Sequence, residues 1–466
     1  MRIKEEFKRS GAFWLPSSPE NQIHGTLSIL DGGNVKLELT QSLTPSIQKQ
    51  FGYTDPNSLN PILGHVEKDG SVMIDRCYSI QKKRNFAHGG YMASDVVMAT
   101  RVFMGFPYAE DVSSHFNTCS FSIEGIDEWV GITGIEVDHR PEGRALTISY
   151  EKPTDISLNL QNGMQLLITF AWTFPGFPIN KRAEVSQKTY FRLIAPNPCE
   201  LDAFISVTQK VTSFLCFVMN EIVCLDRMSV TSDSHRQEIG EGHTVPIPVN
   251  VYCSSWPYTK NEPAINELDI LFKYKDIQSR AETIINKWIV NYEQIAPALD
   301  LYFLAKAGTL PSWNTQFLTL VQALEALHRR TSDEKHMDED EFKEIRKVLV
   351  NKCPKKERSW FADKLNHANE LTLRNRLERM TDPFSKFMGG DSKAQLIDKI
   401  VKTRNYLTHY SSDLESEAAK GEVLQFLCRK MNALFRLHFL KLIGFDEQEI
   451  DEVVDKCPYF KGECNL

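Results

Sequence analysis

The spacing of apolar residues changes once along this chain of 466 residues, near residue 294. Before that point, apolar and polar residues tend to alternate, which is typical of β-strands with one buried face. After it, apolar residues recur about every 3.5 positions, which is typical of amphipathic helices packed in a bundle. We therefore predict an α+β protein. A β-rich region over residues 1–293, in one lobe or in two lobes divided near residue 200, precedes an all-helical region over 294–466.

Glycine turns mark two hairpins in the β-rich region. Residues 26–30 and 35–39 alternate on either side of Gly32-Gly33, and Asp69-Gly70 separates two further alternating runs. Turns of this kind join neighbouring antiparallel strands. A short apolar run predicts another strand over 268–274. Helices are expected over 91–104, 201–220 and 279–291.

Three apolar stripes predict the main helices of the second region. They consist of Phe317, Leu320, Val321, Leu324 and Leu327, then Leu396, Ile400 and Leu407, and last Val423, Leu427, Met431 and Leu434. Gly444 follows the third stripe and predicts the end of its helix. A shorter helix is expected over 342–349, between the first two stripes.

The composition excludes several classes of function. The net charge is −7, so a uniformly basic nucleic-acid coat is excluded. The ten cysteines form no Cys-x-x-Cys pair, and we expect no metal and no cofactor. Scattered thiols and the lack of a signal pattern predict a cytoplasmic protein. The longest apolar run is far shorter than the roughly 20 residues of a membrane span, so no membrane association is expected.

One pair of residues in the second stripe suggests chemistry. The spacing of that stripe predicts an apolar residue at position 403 or 404, and we assign this place to Arg404. A buried guanidinium needs an anion or a polar partner, because burying an unpaired charge is costly. His409 falls in the last turn of the same helix, since Ser412 and Glu415 have capping-box spacing for the next helix.

This pair has a catalytic and a structural interpretation. A guanidinium suits a phosphate, and an imidazole suits proton transfer near neutral pH. Arg404 and His409 can therefore run RNA transesterification without a metal, with two copies across a dimer dividing the roles of base and acid. In the structural alternative, Arg404 pairs with a carboxylate such as Glu325, and His409 interacts with the helix dipole. The helical region is then a non-catalytic dimerisation or binding module.

Several segments resemble one protein family. The segment 403–409, TRNYLTH, resembles the Arg-x4-6-His motif of HEPN domains. The segment 317–330, FLTLVQALEALHRR, resembles the opening helix of the HEPN domain in ApeA-type anti-phage defence proteins. FWLP at 13–16, GTLSI at 25–29, Gly64 and IDEWVG at 126–131 resemble the N-terminal domain of the same family. The resemblance covers most of the chain in order.

The resemblance implies an abortive-infection ribonuclease. HEPN nucleases of this kind are typically homodimers that cut RNA without a metal, leaving 2′,3′-cyclic phosphate and 5′-hydroxyl ends. Arg404 would hold the scissile phosphate, His409 would act as base or acid, and Asn405 would orient the phosphate. The N-terminal region would sense a phage-derived trigger or restrain the nuclease. Transfer RNA is one candidate substrate, and assembly could extend beyond the dimer.

The resemblance also argues against one mode of control. HEPN toxins that are adenylylated carry a tyrosine two residues after the histidine of the motif. Ser411 stands at that position in this chain. We therefore do not expect control by adenylylation.

Basic residues surround the motif. Residues 351–410 contain 13 Lys+Arg and 7 Asp+Glu, in an otherwise acidic chain. We predict that a phosphate track toward the motif includes Lys399, Lys402, Arg374 and Arg376; the alternative is a solvated helix face. Glu325 is an auxiliary candidate that orients His409 or pairs with Arg404. A third interpretation makes the β-rich region an independent carbohydrate-acting or ligand-binding enzyme, although no paired carboxylates stand out there.

Overall fold

The computed structural model describes residues 1–5, 7–43, 59–87, 90–105, 115–140, 143, 145–173, 176, 181, 183–240, 242–389 and 392–465. The chain divides into two units, Met1–Ile289 and Val290–Leu466. This division and the predicted boundary after residue 293 fall within the same helix, Ala281–Lys306. Strands on both sides of residue 200 belong to one sheet, so the first unit is continuous there.

Antiparallel strands dominate the first unit. They are β1 (Phe7–Trp14), β2 (Ile23–Ile29), β3 (Val35–Leu39), β4 (Ile62–Val66), β5 (Gly70–Ala87), β6 (Gly90–Met104), β7 (His115–Ile123), β8 (Ile135–Arg140), β9 (Ala145–Tyr150), β10 (Ile156–Asn159), β11 (Gln165–Thr173), β12 (Ser186–Glu200), β13 (Leu225–Thr231), β14 (Arg236–Glu238), β15 (Thr244–Pro246) and β16 (Val249–Cys253). Helices follow at Ile126–Val130, Leu201–Met219 and Tyr274–Ile277. The predicted β-rich first region is confirmed.

Strand β6 closes a six-stranded barrel because it pairs with both β3 and β5. The ring runs β6-β3-β2-β1-β4-β5 and returns to β6. Closure gives each of the six strands a partner on both sides, which protects their edges. The interior holds an apolar core that includes Phe13, Leu27, Leu37 and Val102. Both hairpins predicted from glycine turns, β2–β3 and β4–β5, are confirmed.

The helix predicted over 91–104 is wrong, because these residues form β6. Neighbouring residues on this strand, such as Val96 and Val97, are both buried. Strand β6 also pairs with β16, so it belongs to the barrel and to the adjoining sheet. A strand that is covered on both faces loses its alternation, and its apolar pattern then resembles that of a buried helix.

Beyond β6 the sheet continues in the order β16-β13-β7-β12-β11-β10. One face of it packs against the helix Leu201–Met219, through β7 and β12. Phe214 of this helix also packs on the helix Ile126–Val130, with its ring 5.8 Å from that of Trp129 and edge to face. This helix is long and apolar enough to cross a membrane, but 67% of its most apolar stretch is buried inside the unit. Such burial is that of a core helix. The helices predicted over 201–220 and 279–291 are confirmed.

The strand predicted over 268–274 is wrong. Residues Glu267–Asp269 form a 3-10 turn, and Tyr274–Ile277 form a short helix. Between them, the Leu271 N–H donates to the Val218 carbonyl oxygen at 2.9 Å. The apolar run is therefore buried against the C-terminal end of the helix Leu201–Met219, where no strand is needed to satisfy its backbone.

The second unit is helical, as predicted. Its helices are Trp313–Thr331, Glu339–Lys352, Arg358–Lys364, Leu373–Thr381, Lys393–His409, Ser412–Glu415, Gly421–Leu442, Glu447–Lys456 and Pro458–Asn465. We call Trp313–Thr331 the opening helix, Lys393–His409 the motif helix and Gly421–Leu442 the central helix. The predicted stripe of the opening helix is buried throughout. In the central helix Leu424 is buried in place of Val423, and Gly444 follows its end with a φ of 100°.

The helices Glu339–Lys352 and Arg358–Lys364 form an arm. An antiparallel bridge between Lys335 and Glu370 joins the two ends of this arm. The expected helix over 342–349 is confirmed, but its apolar residues are not core residues. Ile345, Val348 and Leu349 are exposed, as is Trp360 on the second helix of the arm.

Burial makes most of the cysteines chemically quiet. All ten are free thiols; Cys199 and Cys353 are half-buried and the other eight are buried. Burial raises the pKa of thiols such as Cys77 and Cys428 to about 12. Since the thiolate is the reactive form, these side chains act as small apolar groups.

Two hairpin glycines permit a matched test of the barrel. Gly33 and Gly70 both have positive φ, but a Cβ at Gly33 would lie 1.9 Å from the Cys253 carbonyl oxygen, whereas one at Gly70 would meet nothing within 4 Å. We expect Gly70→Ala to cost about 1–2 kcal/mol from backbone strain. Gly33→Ala should cost more than about 3 kcal/mol, because backbone must also move. Chemical denaturation of the two variants measures the difference, and equal losses would contradict the close approach.

Candidate functional site

The buried stripe of the motif helix keeps the predicted Ile400 and Leu407 but differs by one residue at its two other positions. Ile397, Ile400, Thr403 and Leu407 are buried, whereas Leu396 is only half-buried. Thr403 therefore takes the buried position that the spacing had assigned to Arg404. Arg404 lies at the edge of the stripe and is half-buried. The expectation of a guanidinium inside the core is wrong, because a β-branched threonine fills that place.

Thr403 is buried together with a hydrogen-bond partner. Its Oγ1 accepts from the Ala419 backbone N–H at 2.9 Å, and both residues are buried. Ala419 belongs to the segment 410–420, which we call the return loop because it leads from the motif helix to the central helix. Lys399 and Lys402 also contact this loop, through the carbonyl oxygen and the carboxylate of Glu417. The return loop is thus fastened along the motif helix.

His409 is the last residue of the motif helix, as predicted. Tyr410 follows it in the left-handed conformation, with a φ of 51°, and its N–H donates to the Tyr406 carbonyl oxygen at 2.6 Å. The predicted capping box of Ser412 and Glu415 is wrong. Ser411 is the N-cap of a single turn, Ser412–Glu415, and the next long helix begins only at Gly421.

Arg404 and His409 are not engaged by carboxylates in the part of the chain that the structure describes. Arg404 Nη1 donates to Asn405 Oδ1 at 3.1 Å, so Asn405 steadies the guanidinium. Glu325, the predicted auxiliary residue, accepts from Arg329 at 3.1 and 3.2 Å. The His409 side chain is exposed, and no hydrogen-bond partner for it occurs among the described residues. Both groups are therefore available to an external ligand.

Helix geometry sets how far these two groups are separated within one chain. Residues five apart on an ideal helix differ by about 140° in direction and about 7.5 Å in height. Arg404 and His409 consequently leave the motif helix on different sides. An arginine side chain is long enough to reduce the gap, but a second copy of the helix can also supply the missing group.

In the structure, three residues of the predicted phosphate track contact other groups of the protein. Lys399 and Lys402 fasten the return loop, and Arg374 Nη2 donates to Asp398 at 2.6 Å. Arg374 and Lys402 together lower the pKa of the Asp398 carboxyl group. The RNA-binding role of these three residues stays a prediction. Carboxylates already partly neutralise the charges of Arg374 and Lys402, whereas Lys399 donates only to a backbone carbonyl oxygen.

Arg376 requires a correction. It is buried, and its Nη1 lies 3.1 Å from His328 Nδ1. Burial lowers the pKa of His328, and the neighbouring Arg376 charge lowers it further. The neutral imidazole can thus accept the guanidinium hydrogen bond. A guanidinium enclosed in this way is not placed to meet an RNA backbone, and its position on the helix gave no sign of the histidine partner.

The family comparison decides the assignment. The family model described as ApeA N-terminal domain 1 matches residues 8–288, and the model described as Apea-like HEPN matches residues 318–449. The chain belongs to the ApeA family. No curated protein and no solved structure is detectably similar to this chain.

The ApeA assignment gives the motif its context. Arg404, Asn405 and His409 all lie inside the segment that matches the Apea-like HEPN model. HEPN domains are generally ribonucleases that typically dimerise and act on RNA, and the two matches together support an anti-phage defence protein of the nuclease class. Among the described residues, no three His, Cys, Asp or Glu side chains cluster closely enough to hold a metal ion.

The fastening of the return loop can be tested with two threonines. Thr403→Val removes the acceptor and leaves the buried Ala419 N–H unsatisfied, which should cost about 1–3 kcal/mol. The control is Thr408→Val, because exposed Thr408 only donates to the Arg404 carbonyl oxygen at 2.8 Å. We expect this control to change the free energy of unfolding by less than about 0.5 kcal/mol. Denaturant titration measures both, and an unchanged Thr403→Val protein would disprove the role of the bond.

Proposed function

We propose that the helical unit is a metal-independent endoribonuclease that acts as the effector of an anti-phage, abortive-infection response. The observation that supports this most is the state of the motif: an accessible imidazole and a half-buried guanidinium, neither held by a carboxylate among the described residues. The site chemistry fits the ribonuclease class to which HEPN domains generally belong.

In the proposed reaction one His409 acts as general base and removes the proton of an RNA 2′-hydroxyl. The freed 2′-oxygen attacks the adjacent phosphorus, and the bond from phosphorus to the 5′-oxygen breaks. Arg404 donates hydrogen bonds to the non-bridging oxygens, on which negative charge grows in the transition state. A second histidine, in its protonated form, gives a proton to the leaving 5′-oxygen. The products carry a 2′,3′-cyclic phosphate and a 5′-hydroxyl.

This reaction favours a homodimer. One imidazole cannot readily serve as base and acid in the same step, and the directions of Arg404 and His409 within one helix differ by about 140°. Two motif helices facing each other would supply two histidines and two arginines to one RNA linkage. We propose that assembly through the helical unit forms this cleft, with higher oligomers built from such dimers.

Substrate, trigger and location complete the proposal. We propose cytoplasmic RNA as the substrate class, with transfer RNA as the first candidate because it is structured and abundant. The β-rich unit would sense a phage-derived trigger or restrain the nuclease until infection. Family membership supports a role in defence, and the RNA and the trigger are to be identified experimentally.

The catalytic assignment predicts loss of cleavage without loss of folding. Purified protein is incubated with total RNA in EDTA, and the ends of the fragments are analysed. His409→Ala should lower the rate at least about 100-fold, because general acid–base catalysis contributes that much or more. Arg404→Lys should also lower it, since lysine lacks the bidentate fork. Thr408→Ala, next to His409, is the control and should retain cleavage.

Melting of the same variants separates catalysis from structure. If Arg404 and His409 are catalytic and have no internal ion pairs, substituting them should change the free energy of unfolding by less than about 0.5 kcal/mol. The non-catalytic alternative makes the pair structural, so it predicts a large loss of stability for Arg404→Ala and no effect of His409→Ala on RNA. Cleavage by pure His409→Ala protein at the parental rate would refute the nuclease assignment.

The division of roles between two copies predicts dominant inhibition. When His409→Ala and unaltered chains are co-expressed and assemble at random, a cleft with both histidines forms in proportion to the square of the unaltered fraction. Cleavage should therefore fall to about one quarter at an equal mixture, if both histidines act in one step. Quantified cleavage by tagged mixtures measures this. A linear decline would show that each chain acts alone.

A further inference from the structure

The sheet of the first unit has a second face, opposite the helix Leu201–Met219. Strand register places a polar row across this face, formed by Arg192 of β12, Ser120 of β7, Ser229 of β13 and Asn250 of β16. The neighbouring residues in register, such as Phe121 and Met228, are buried and belong to the helix-covered side. The polar row is thus the floor of a separate surface.

A β-bulge aims one more charge at this surface. The pairing of β13 with β7 shifts between Leu225 and Arg227, so that Asp226 and Arg227 share Ser122 as their opposite residue. A bulge of this kind turns two successive side chains toward the same face. Asp226 is then held by Lys188 Nζ at 2.6 Å and by the Ser122 hydroxyl. Asp226 thus pairs with Lys188, and Arg227 forms no ion pair with it.

Two guanidinium groups remain uncompensated on this face. Arg192 Nε donates to Ser120 Oγ at 3.2 Å and forms no ion pair with any described residue. Arg227 is exposed and likewise has no ion pair within the described part of the chain. Two lysines at the edge of this face are already paired: Lys152 with Asp155 at 3.1 Å, and Lys188 with Asp226. This surface is positive although residues 1–300 carry 27 Lys+Arg and 35 Asp+Glu.

The surface is concave. It forms a groove of about 810 Å³, which we call the sheet groove, lined by the residues of the polar row together with Arg227, Tyr190 and Tyr252. The carboxylates of Asp155 and Asp226 also line it, each paired with a lysine. That volume is in the range of small-molecule sites. Arg192 faces Ser120 and Arg227 faces Ser122 across β7, so their backbones are two strands and two residues apart, a separation of about 12 Å. Their long side chains can approach one extended anion from opposite sides of β7.

We propose that the sheet groove binds a small polyphosphate ligand of the nucleotide class. Guanidinium forks recognise phosphate oxygens with paired, charge-assisted hydrogen bonds, and two of them suit a chain of two or three phosphates better than a single one. The hydroxyl groups of Ser120 and Ser229 and the amide of Asn250 offer further donors. Tyr190 and Tyr252 offer ring surface to a base. This inference does not depend on the proposed nuclease activity.

The test uses the full chain, titrated calorimetrically with inorganic phosphate, pyrophosphate, triphosphate, ATP and GTP. We expect pyrophosphate, triphosphate and the nucleotides to bind more tightly than phosphate. Arg192→Gln and Arg227→Gln should each weaken binding by about 10-fold to 100-fold, the loss expected for a hydrogen bond to a charged group. Tyr190→Leu should weaken the binding of ATP and GTP but not that of triphosphate; equal loss for nucleotides and triphosphate would contradict base stacking on Tyr190 and overturn the nucleotide assignment.

Lys36→Gln provides the matched control, because it makes the same change of charge on the barrel strand β3, where Lys36 pairs with Glu38. It should leave binding unchanged. Arg192→Lys and Arg227→Lys keep the charge but lose the fork, so they should bind weakly while melting like the parent. The proposal fails if no polyphosphate binds at millimolar concentration, or if Lys36→Gln weakens binding as much as the groove variants do. Binding of an RNA oligomer alone, lost in the groove variants, would also overturn it.

Discussion

The candidate site depends on one buried hydrogen bond, from the Ala419 backbone N–H to Thr403 Oγ1. The bond lets a polar residue occupy a core position, because its donor and acceptor are satisfied together. It also fixes where the return loop runs, and the lysines of the motif helix add two further fastenings through Glu417. With Thr403 turned inward, the next residue, Arg404, must lie at the boundary of the core. The placement of the guanidinium follows from the burial of its neighbour.

The local sequence pattern correctly predicted those elements whose conformation depends on their own residues or on one buried face. Gly32-Gly33 and Asp69-Gly70 located two hairpins because a turn depends on its own residues. The opening helix was equally clear, since it has one buried face. The prediction failed where a segment has several partners. Strand β6 pairs with three strands, and residues 270–272 are buried by the end of a helix that lies far away in sequence.

The sequence identified the motif residues of the site, but not which of them are buried or which partners they contact. Spacing alone left positions 403 and 404 equivalent, because an apolar stripe with one polar member does not say which polar residue is inward. The preference of a β-branched threonine for a buried place, over an arginine, was the available signal. The sequence could not identify the partner of Arg376, since His328 lies on another helix and only tertiary packing brings the two together.

The two units use charge in opposite ways. Residues 351–410 are basic by count, yet Arg374, Lys393 and Arg379 pair with Asp398, Asp382 and Glu334. Composition therefore overstated the free positive charge of the helical unit. In the first unit an acidic composition hides two guanidinium groups that share one face. In both units the arrangement of partners, more than the count of charges, determines where an anion can bind.

The accessibility of the thiols has a practical consequence for spectroscopy. Cys353 lies in the arm, just after the helix Glu339–Lys352, and is half-buried. Cys199 is also half-buried, but burial raises the pKa of its thiol, and the remaining cysteines are enclosed. Maleimide dyes react with thiolates, so the arm offers a native attachment point. A fluorophore there would report on the proposed dimerisation without replacing any natural residue.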